Sequence, residues 1–423
     1  MKRWPGVETG KGSAKSAHSA SETISPSGEL LAGVRVLEFG EFVAGPLMGR
    51  ILGDFGAEVI KVETPKNGDQ LRQAGKLRHG TSYYWYLQGR NKKSITCDLH
   101  HAKGQQLARQ LAAKTDILLE NFRPGRMAAW GLDYGTLQSV NPKLVMVHIS
   151  AFGQVGPYRD RVGFGSVGEA MGGVRYLTAE PGRPPVRCGF ALGDSVAGLY
   201  AVFGAIAALR RAERTGQGQE VDVSITDAVV SLLDAIVVEF SGTGAIRQPM
   251  GPRLGGGAPS NTYPSKDGRL VVIGGNSDAI FRRLMNAIGR PELATDPKYR
   301  TNPDRMANVE ELDAEIGAWT RTRQSGEIVA KLNAEKIPSG LIYNVADIVY
   351  DHHYRERRTI TDVPLPESGG HLTMQGVVPK FSATPGRIRW AGPVLGESNR
   401  EVYGGLLGLD DHEIAVLHEE GVI

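Results

Sequence analysis

The chain has 423 residues, 41% hydrophobic and 22% charged, with a formal net charge of +3 at pH 7. That length supports two or more domains with their own cores, and so small a charge gives no bulk electrostatic case for nucleic acid. The two cysteines, Cys97 and Cys188, cannot build a disulfide framework and suit a reducing compartment, so the expected location is cytoplasmic, with the mitochondrial matrix as second choice.

Residues 1–29 are polar and rich in Ser and Gly. They read as a disordered arm, without the apolar segment of a signal peptide. Order is expected from Leu30. Val34–Phe39 reads as a strand, Gly45–Phe55 as a helix and Glu58–Glu63 as a second strand. The alternation continues through a strand at Ser94–Asp98, a helix from Ala102, and strands at Asp116–Glu120 and Leu144–Ser150. Another strand is expected at Glu220–Ile225, with a helix after it. Strand–helix alternation of this kind predicts an α/β fold, a Rossmann-like large domain over 30–235 with a mostly parallel sheet. Residues 236–265 carry many Gly and Pro and read as a linker and Gly-rich loop. A smaller α+β domain is expected over 266–345, and a C-terminal segment, 346–423, returning to the large domain.

Within the large domain the triplet Gly193-Asp194-Ser195 opens a long apolar helix. A carboxylate at a strand-to-helix junction can cap the helix, and the free N–H groups there keep it ionised. A residue so placed can also serve as a nucleophile. The 14 apolar residues after Ser195 fall short of the ~20 needed to span a bilayer, so no membrane span is expected.

Other motifs are weaker. Gly163-Phe-Gly165-Ser-Val-Gly168 matches a dinucleotide fingerprint in letters, but Pro157–Arg161 precedes it where a buried strand belongs. The first βαβ turn, Gly40–Pro46, lacks the fingerprint spacing and sets Pro46 where a phosphate-cradling N–H is needed. His100-His101 and His352-His353 have no metal-ligand spacing, so no metal is expected. Arg90-Asn91-Lys92-Lys93 offers cations for phosphates, set against the ordinary reading of a solvated edge.

In order and spacing, several short segments resemble the class III CoA-transferases, the group of formyl-CoA and carnitine CoA-transferases. They are Val43-Ala44-Gly45-Pro46, the run Leu52–Glu63, Asn91–Ser94, Glu120–Gly125, Leu192–Ser195, Thr215–Gln219 and Pro393–Glu397. The resemblance spans Leu31 to Ile423. It implies that Asp194 is the nucleophile and that catalysis runs through aspartyl anhydride and aspartyl-CoA thioester intermediates. It implies CoA as a substrate moiety, with no tightly bound cofactor, along Val43, Ala44, Cys97, His100, Asn121, Phe122, Arg123, Arg126 and Arg161. Gly255, Gly256 and Gly257 are the expected oxyanion loop, and an interlocked homodimer is the expected assembly.

The look is closest to members that use succinyl-CoA and small dicarboxylates, for which Arg175 or Arg253 is the expected cation. The chain departs from its relatives at Ala129, where they carry an arginine, and at Gly165, where an acid is frequent. Two alternatives accompany this reading. One is a 2-methylacyl-CoA racemase, whose catalytic histidine position is Phe164 here. The other is a non-catalytic CoA-binding protein, which a substitution of Asp194 would have favoured.

Overall fold

A computed structural model of the chain describes residues 28–253, 255–365 and 370–423. The expected N-terminal arm lies outside these except for Gly28 and Glu29, and Glu29 is ion-paired with Arg389 at 3.4 Å. The chain divides into two units. One holds residues up to Val174, Gly189–Asp234 and His352–Ile423; the other holds Arg175–Cys188 and Ala235–Asp351.

The first unit is built on six strands: β1 (Arg35–Glu38), β2 (Glu58–Glu63), β3 (Lys92–Thr96), β4 (Ile117–Glu120), β5 (Val145–Ser150) and β6 (Gln219–Ser224). All neighbouring pairs are parallel, in the order β3-β2-β1-β4-β5-β6. That is the doubly wound order whose direction reverses between β1 and β4, opening a crevice at the strand C-termini.

Residues alternate between the two faces of the sheet because the side-chain period of a strand is two. Leu37, Ile60, Ile95, Leu118 and Met146 share one core with Leu107, Ala108 and Leu111 of a helix at Ala102–Ala112 and with the chain's last two residues, Val422 and Ile423. Val36, Val59, Ile117, Leu119, Val145 and Val147 face the other core, against α1 (Ala44–Asp54) and the 24-residue α4 (Leu192–Thr215). Between these two helices in sequence lie α2 (Arg126–Ala129), which follows β4, and α3 (Gly165–Met171), which follows β5.

α4 lays Ala197, Ala201, Ala205, Ala208 and Ala212 against that core. A stripe of alanines lets a helix axis come close to a sheet. Among the described residues α4 is the one helix long and apolar enough to cross a membrane, with a mean hydropathy of 1.6 over its most apolar window. Its alanine face is a core face, while Leu199 and Phe203 on its other side are exposed.

The second unit has a three-stranded antiparallel sheet of Ser260–Pro264, Leu270–Gly274 and Ser339–Leu341, with the Leu270 strand central. Its core joins Val271 and Ile273 to Phe281, Leu284, Met285, Leu312, Ile316, Ile328 and Leu332 from three helices. The stretch 236–265, expected as linker and loop, carries a helix at Ile236–Thr243 and the first strand of this sheet.

The Arg90–Lys93 run is neither a phosphate site nor a solvated edge. Arg90 and Asn91 are buried on Asp54, and Lys92 is buried against Glu38 at 2.7 Å. Lys93 pairs with both Glu58 and Glu401. The run leads into and opens the edge strand β3, whose outer side the C-terminal segment covers: Asn91 N donates to Trp390 O, and Trp390 Nε1 to Lys92 O.

Candidate active site

α4 begins four residues earlier than its apolar run, so Asp194 stands inside the first turn. The N-cap position is Ala191, without a side-chain cap. The expected capping role is therefore corrected, and the residues before α4 form no strand. Leu192 N, Gly193 N and Ser195 N already donate to Phe190 O, Glu169 and Ala191 O, so what favours a carboxylate here is the positive end of the helix dipole.

Asp194 is half-buried and faces the start of α3. A Cβ on Gly165 would lie 2.7 Å from Asp194 Cγ, closer than real Cβ atoms approach anything. Glycine at 165 is thus a condition for the carboxylate's position. One turn along α3 the fully buried Glu169 accepts a hydrogen bond from Gly193 N at 3.3 Å. The absent acid at 165 leaves room for the nucleophile candidate, and a carboxylate enters the same region four residues later on the same helix face. The letters of Gly163–Gly168 thus serve helix packing, since no strand directly precedes them.

At the C-terminal ends of β1, β2, β3 and β4 lies a cavity of about 210 Å³ that brings together Cys97, His100, Phe122 and Arg126. Trp130 joins them. Its indole meets the His100 ring edge-on at 5.6 Å and the Phe122 ring edge-on at 5.2 Å, with the Arg126 guanidinium 5.5 Å away. Sequence reasoning missed Trp130. The signal was its place four residues after Arg126, one helical turn on.

Glu41 and Glu63 complete the polar side of the cavity. Burial pushes the Glu41 carboxyl above its ordinary value, and Lys61 pulls part of that back. Glu63 is held by Arg72 and Ser94. Cys97 is buried with its thiol on Gly104 O at 3.3 Å, and burial pushes its pKa up to about 12. It is a lining atom and no nucleophile at neutral pH.

The other expected residues are more scattered. Val43 is the N-cap residue of α1 and Ala44 its buried first residue. Asn121 turns its amide to the Glu41 backbone. Arg123 is exposed outside the cavity, and exposed Arg161 sits over the Tyr158 ring at 3.6 Å.

Gly255–Gly257, Arg175 and Arg253 belong to the second unit. Gly256 has φ +91°. Asn302 clamps the segment after it, donating to Gly256 O at 2.9 Å and accepting from Ala258 N at 3.0 Å. Arg175 is half-buried in a short helix, Val174–Leu177. Arg253 donates to Asp313 at 2.9 Å, a carboxylate that also receives Asn261 and Tyr263. Among the described residues no group of three or more His, Cys, Asp or Glu is arranged to hold a metal ion.

A six-stranded parallel sheet with an aromatic cavity at its strand ends, and a half-buried carboxylate in the first turn of a core helix, place the protein in the doubly wound α/β class. The sequence matches CoA-transferase family III over residues 31–399. It is 47% identical to the succinyl-CoA–D-citramalate CoA-transferase of Chloroflexus aurantiacus, across 92% of this chain and 97% of that one. It is 38% identical to the succinyl-CoA–L-malate CoA-transferase alpha subunit of the same species, across 99% and 100%. A solved structure of a CaiB/BaiF family protein from Brucella suis, 32% identical, superposes with a TM-score of 0.80 over 90% of this chain and all of that one. The chain belongs to CoA-transferase family III, and the protein is a CoA-transferase.

Proposed function

We propose that the enzyme moves CoA from succinyl-CoA to a small dicarboxylic acid, with Asp194 as nucleophile. The observation that carries this reading is the Asp194 carboxylate in the first turn of α4, against the bare backbone of Gly165. One Asp194 oxygen attacks the thioester carbonyl of the donor, the C–S bond breaks, and CoA leaves as a thiolate. The mixed anhydride then receives the thiolate at the aspartyl carbonyl, releasing succinate and leaving an aspartyl-CoA thioester. The acceptor carboxylate attacks that carbonyl, and the thiolate released attacks the acceptor's acyl carbon. This frees Asp194 and gives the new acyl-CoA. Every intermediate stays activated provided water is kept out.

The positive end of the α4 dipole favours the attacking carboxylate and the negative charge that develops near it. The cavity of Phe122, His100 and Trp130 offers flat aromatic faces to the adenine of CoA, and Arg126 offers charge to its phosphates. Arg175 and Arg253 are the candidates for the acceptor's second carboxylate.

The names of the citramalate and malate relatives support a succinyl donor and a dicarboxylate acceptor. Phe164 argues against racemisation, since a phenyl ring cannot carry a proton between faces of an α-carbon. A second copy of the chain would cover the exposed outer residues of α4, among them Leu199 and Phe203, which supports a homodimer.

The test is to mix the enzyme with succinyl-CoA and a panel of dicarboxylic acids, reading acyl-CoA products and the intact protein mass. New acyl-CoA products, and their loss in Asp194→Ala with CoA binding kept, are the expected results. An active Asp194→Ala enzyme would sink the nucleophile assignment.

A further inference from the structure

The loop between β1 and α1, Gly40–Val43, has its peptide groups taken up in turn by side chains from β2 and from the segments that follow β2 and β4. Gly40 O accepts from Lys61 Nζ. Asn121, at the end of β4, grips the next residue from both sides: its Oδ1 accepts from Glu41 N at 2.7 Å and its Nδ2 donates to Glu41 O at 2.8 Å. Phe42 N donates to Asp69 Oδ1 at 3.3 Å, and Asp69 also caps Leu71 N at 2.9 Å. Lys61 and Asp69 are an ion pair at 2.8 Å, and both side chains are buried. The grip holds an unfavourable shape, because Phe42 has φ +59°, the left-handed region that non-glycine residues avoid.

A surface loop left to itself would relax away from such a conformation. Here a buried ion pair and a side-chain amide oppose relaxation, on the loop that carries Glu41 into the aromatic cavity and leads to Val43 and Ala44. Both hydrogen-bonding ends of the Asn121 amide are engaged with Glu41, so this group's work is on the backbone. Loops fixed in advance bind more tightly because less ordering remains to be done on binding.

We propose that Asn121, backed by the buried Lys61–Asp69 pair, is a positioning residue that holds Gly40–Val43 in the strained conformation that receives CoA, acting through the Glu41 backbone and not by touching the ligand. This rests on the assignment of CoA to the β-strand ends, and the experiment separates the two. Free CoA is titrated calorimetrically into wild type, Asn121→Asp, Phe42→Asn and the double variant, alongside kcat and KM for succinyl-CoA.

Asn121→Asp keeps an acceptor for Glu41 N and removes the donor to Glu41 O. It is expected to raise the CoA Kd about tenfold, with kcat at saturating donor within about twofold of wild type. Asparagine tolerates the left-handed region, so Phe42→Asn should change the wild-type Kd less than about twofold yet recover at least about threefold of the loss in the Asn121→Asp background. That recovery is the signature of an effect carried by loop conformation.

An unchanged Kd in Asn121→Asp overturns the proposal. So does a loss that Phe42→Asn leaves whole, which would mean direct contact with CoA. If Asn121→Asp does not fold, Asp69→Asn is read the same way, since it keeps an acceptor for Phe42 N and removes the charge facing Lys61. Wild-type protein that takes up no CoA overturns the underlying assignment together with this one.

Discussion

Gly165 and Asp194 are in contact in a way that only glycine allows. The space that a Cβ would fill at 165 is occupied by the Asp194 carboxylate, with Cγ 2.7 Å from the position of the missing atom. The relationship ties a departure from the family pattern to the placement of the nucleophile candidate. It also gives the simplest perturbation of the site.

Gly165→Ala must push the Asp194 carboxylate aside or shift the start of α3. Misplacing a reacting group by about 1 Å can cost ~10²-fold in rate. The expected outcome is a fall in kcat of about tenfold to a hundredfold, with the Kd for CoA unchanged, since the aromatic cavity lies on other elements. Steady-state kinetics with succinyl-CoA, alongside calorimetry with free CoA, checks it. Wild-type kcat in this variant would mean that Asp194 works from a different position.

His148 lies on β5 between two carboxylates, with Nδ1 2.6 Å from Glu120 and Nε2 3.1 Å from Glu220. Burial lowers its pKa, but the hydrogen bond and charge of Glu120, joined by Glu220, more than offset this and raise it above 6.5. For a group whose folded value is raised, the stabilisation is full below the unfolded value and is lost as pH rises through the folded one. The melting temperature of wild type relative to His148→Gln should therefore be highest below about pH 6.5 and decline above it. Glu120 Oε2 also accepts from Phe122 N at 2.7 Å. Neutralising His148 should thus loosen the Asn121–Phe122 turn and weaken CoA binding over the same window. Thermal melts at intervals from pH 5.5 to 8.5 read the first effect, and calorimetry reads the second.

Cys97 should be chemically silent although it lines the cavity. With its thiol pKa pushed to about 12, the thiolate is negligible at pH 8. Iodoacetamide at that pH is expected to label the half-buried Cys188 in the folded protein and to reach Cys97 only in denaturant. Peptide mapping distinguishes the two sites, and rapid native labelling of Cys97 would contradict its burial.

Arg305 is the internal brace of the second unit. Fully buried, it donates to Ala258 O at 2.8 Å, Asn276 O at 2.9 Å, Tyr299 O at 3.2 Å and Asp278 at 2.8 Å. Arg305→Ala leaves several carbonyls without a donor and a cavity beside Phe281. A loss of about 3 kcal/mol or more is expected in urea unfolding. Asn302→Ala removes only the clamp after Gly256 and should cost about 1 kcal/mol of stability.

Much of this fold was legible in the chain. Glu58–Glu63 read to the residue, because strong local periodicity met clean turn signals at both ends. The start of α4 did not, since Leu192 and Gly193 look like loop until their N-terminal turn packs on Gly165 and Glu169. The Arg90–Lys93 run read as surface because charge in a sequence says nothing of a partner 36 or 54 residues away, and Asp54 and Glu38 are those partners. The two-sided grip of Asn121 on Glu41 escaped for the same reason, a contact across 80 residues that only the sheet order makes, whereas the helical spacing of Trp130 from Arg126 was there to be read.

What the sequence by itself determined is what depends on neighbours along the chain: the parallel α/β alternation, the apolar core strands, the carboxylate near the start of a long helix, and the family to which these segments in this order belong. The tertiary structure decided which charges are internal, what Gly165 makes room for, and how Asn121, Lys61 and Asp69 hold the Gly40–Val43 loop. The physical reason is one of range. Hydrogen-bond periodicity and turn chemistry act over a few residues, whereas burial of a charge and bracing of a loop depend on groups that the tertiary fold brings together from 21 to 80 residues apart.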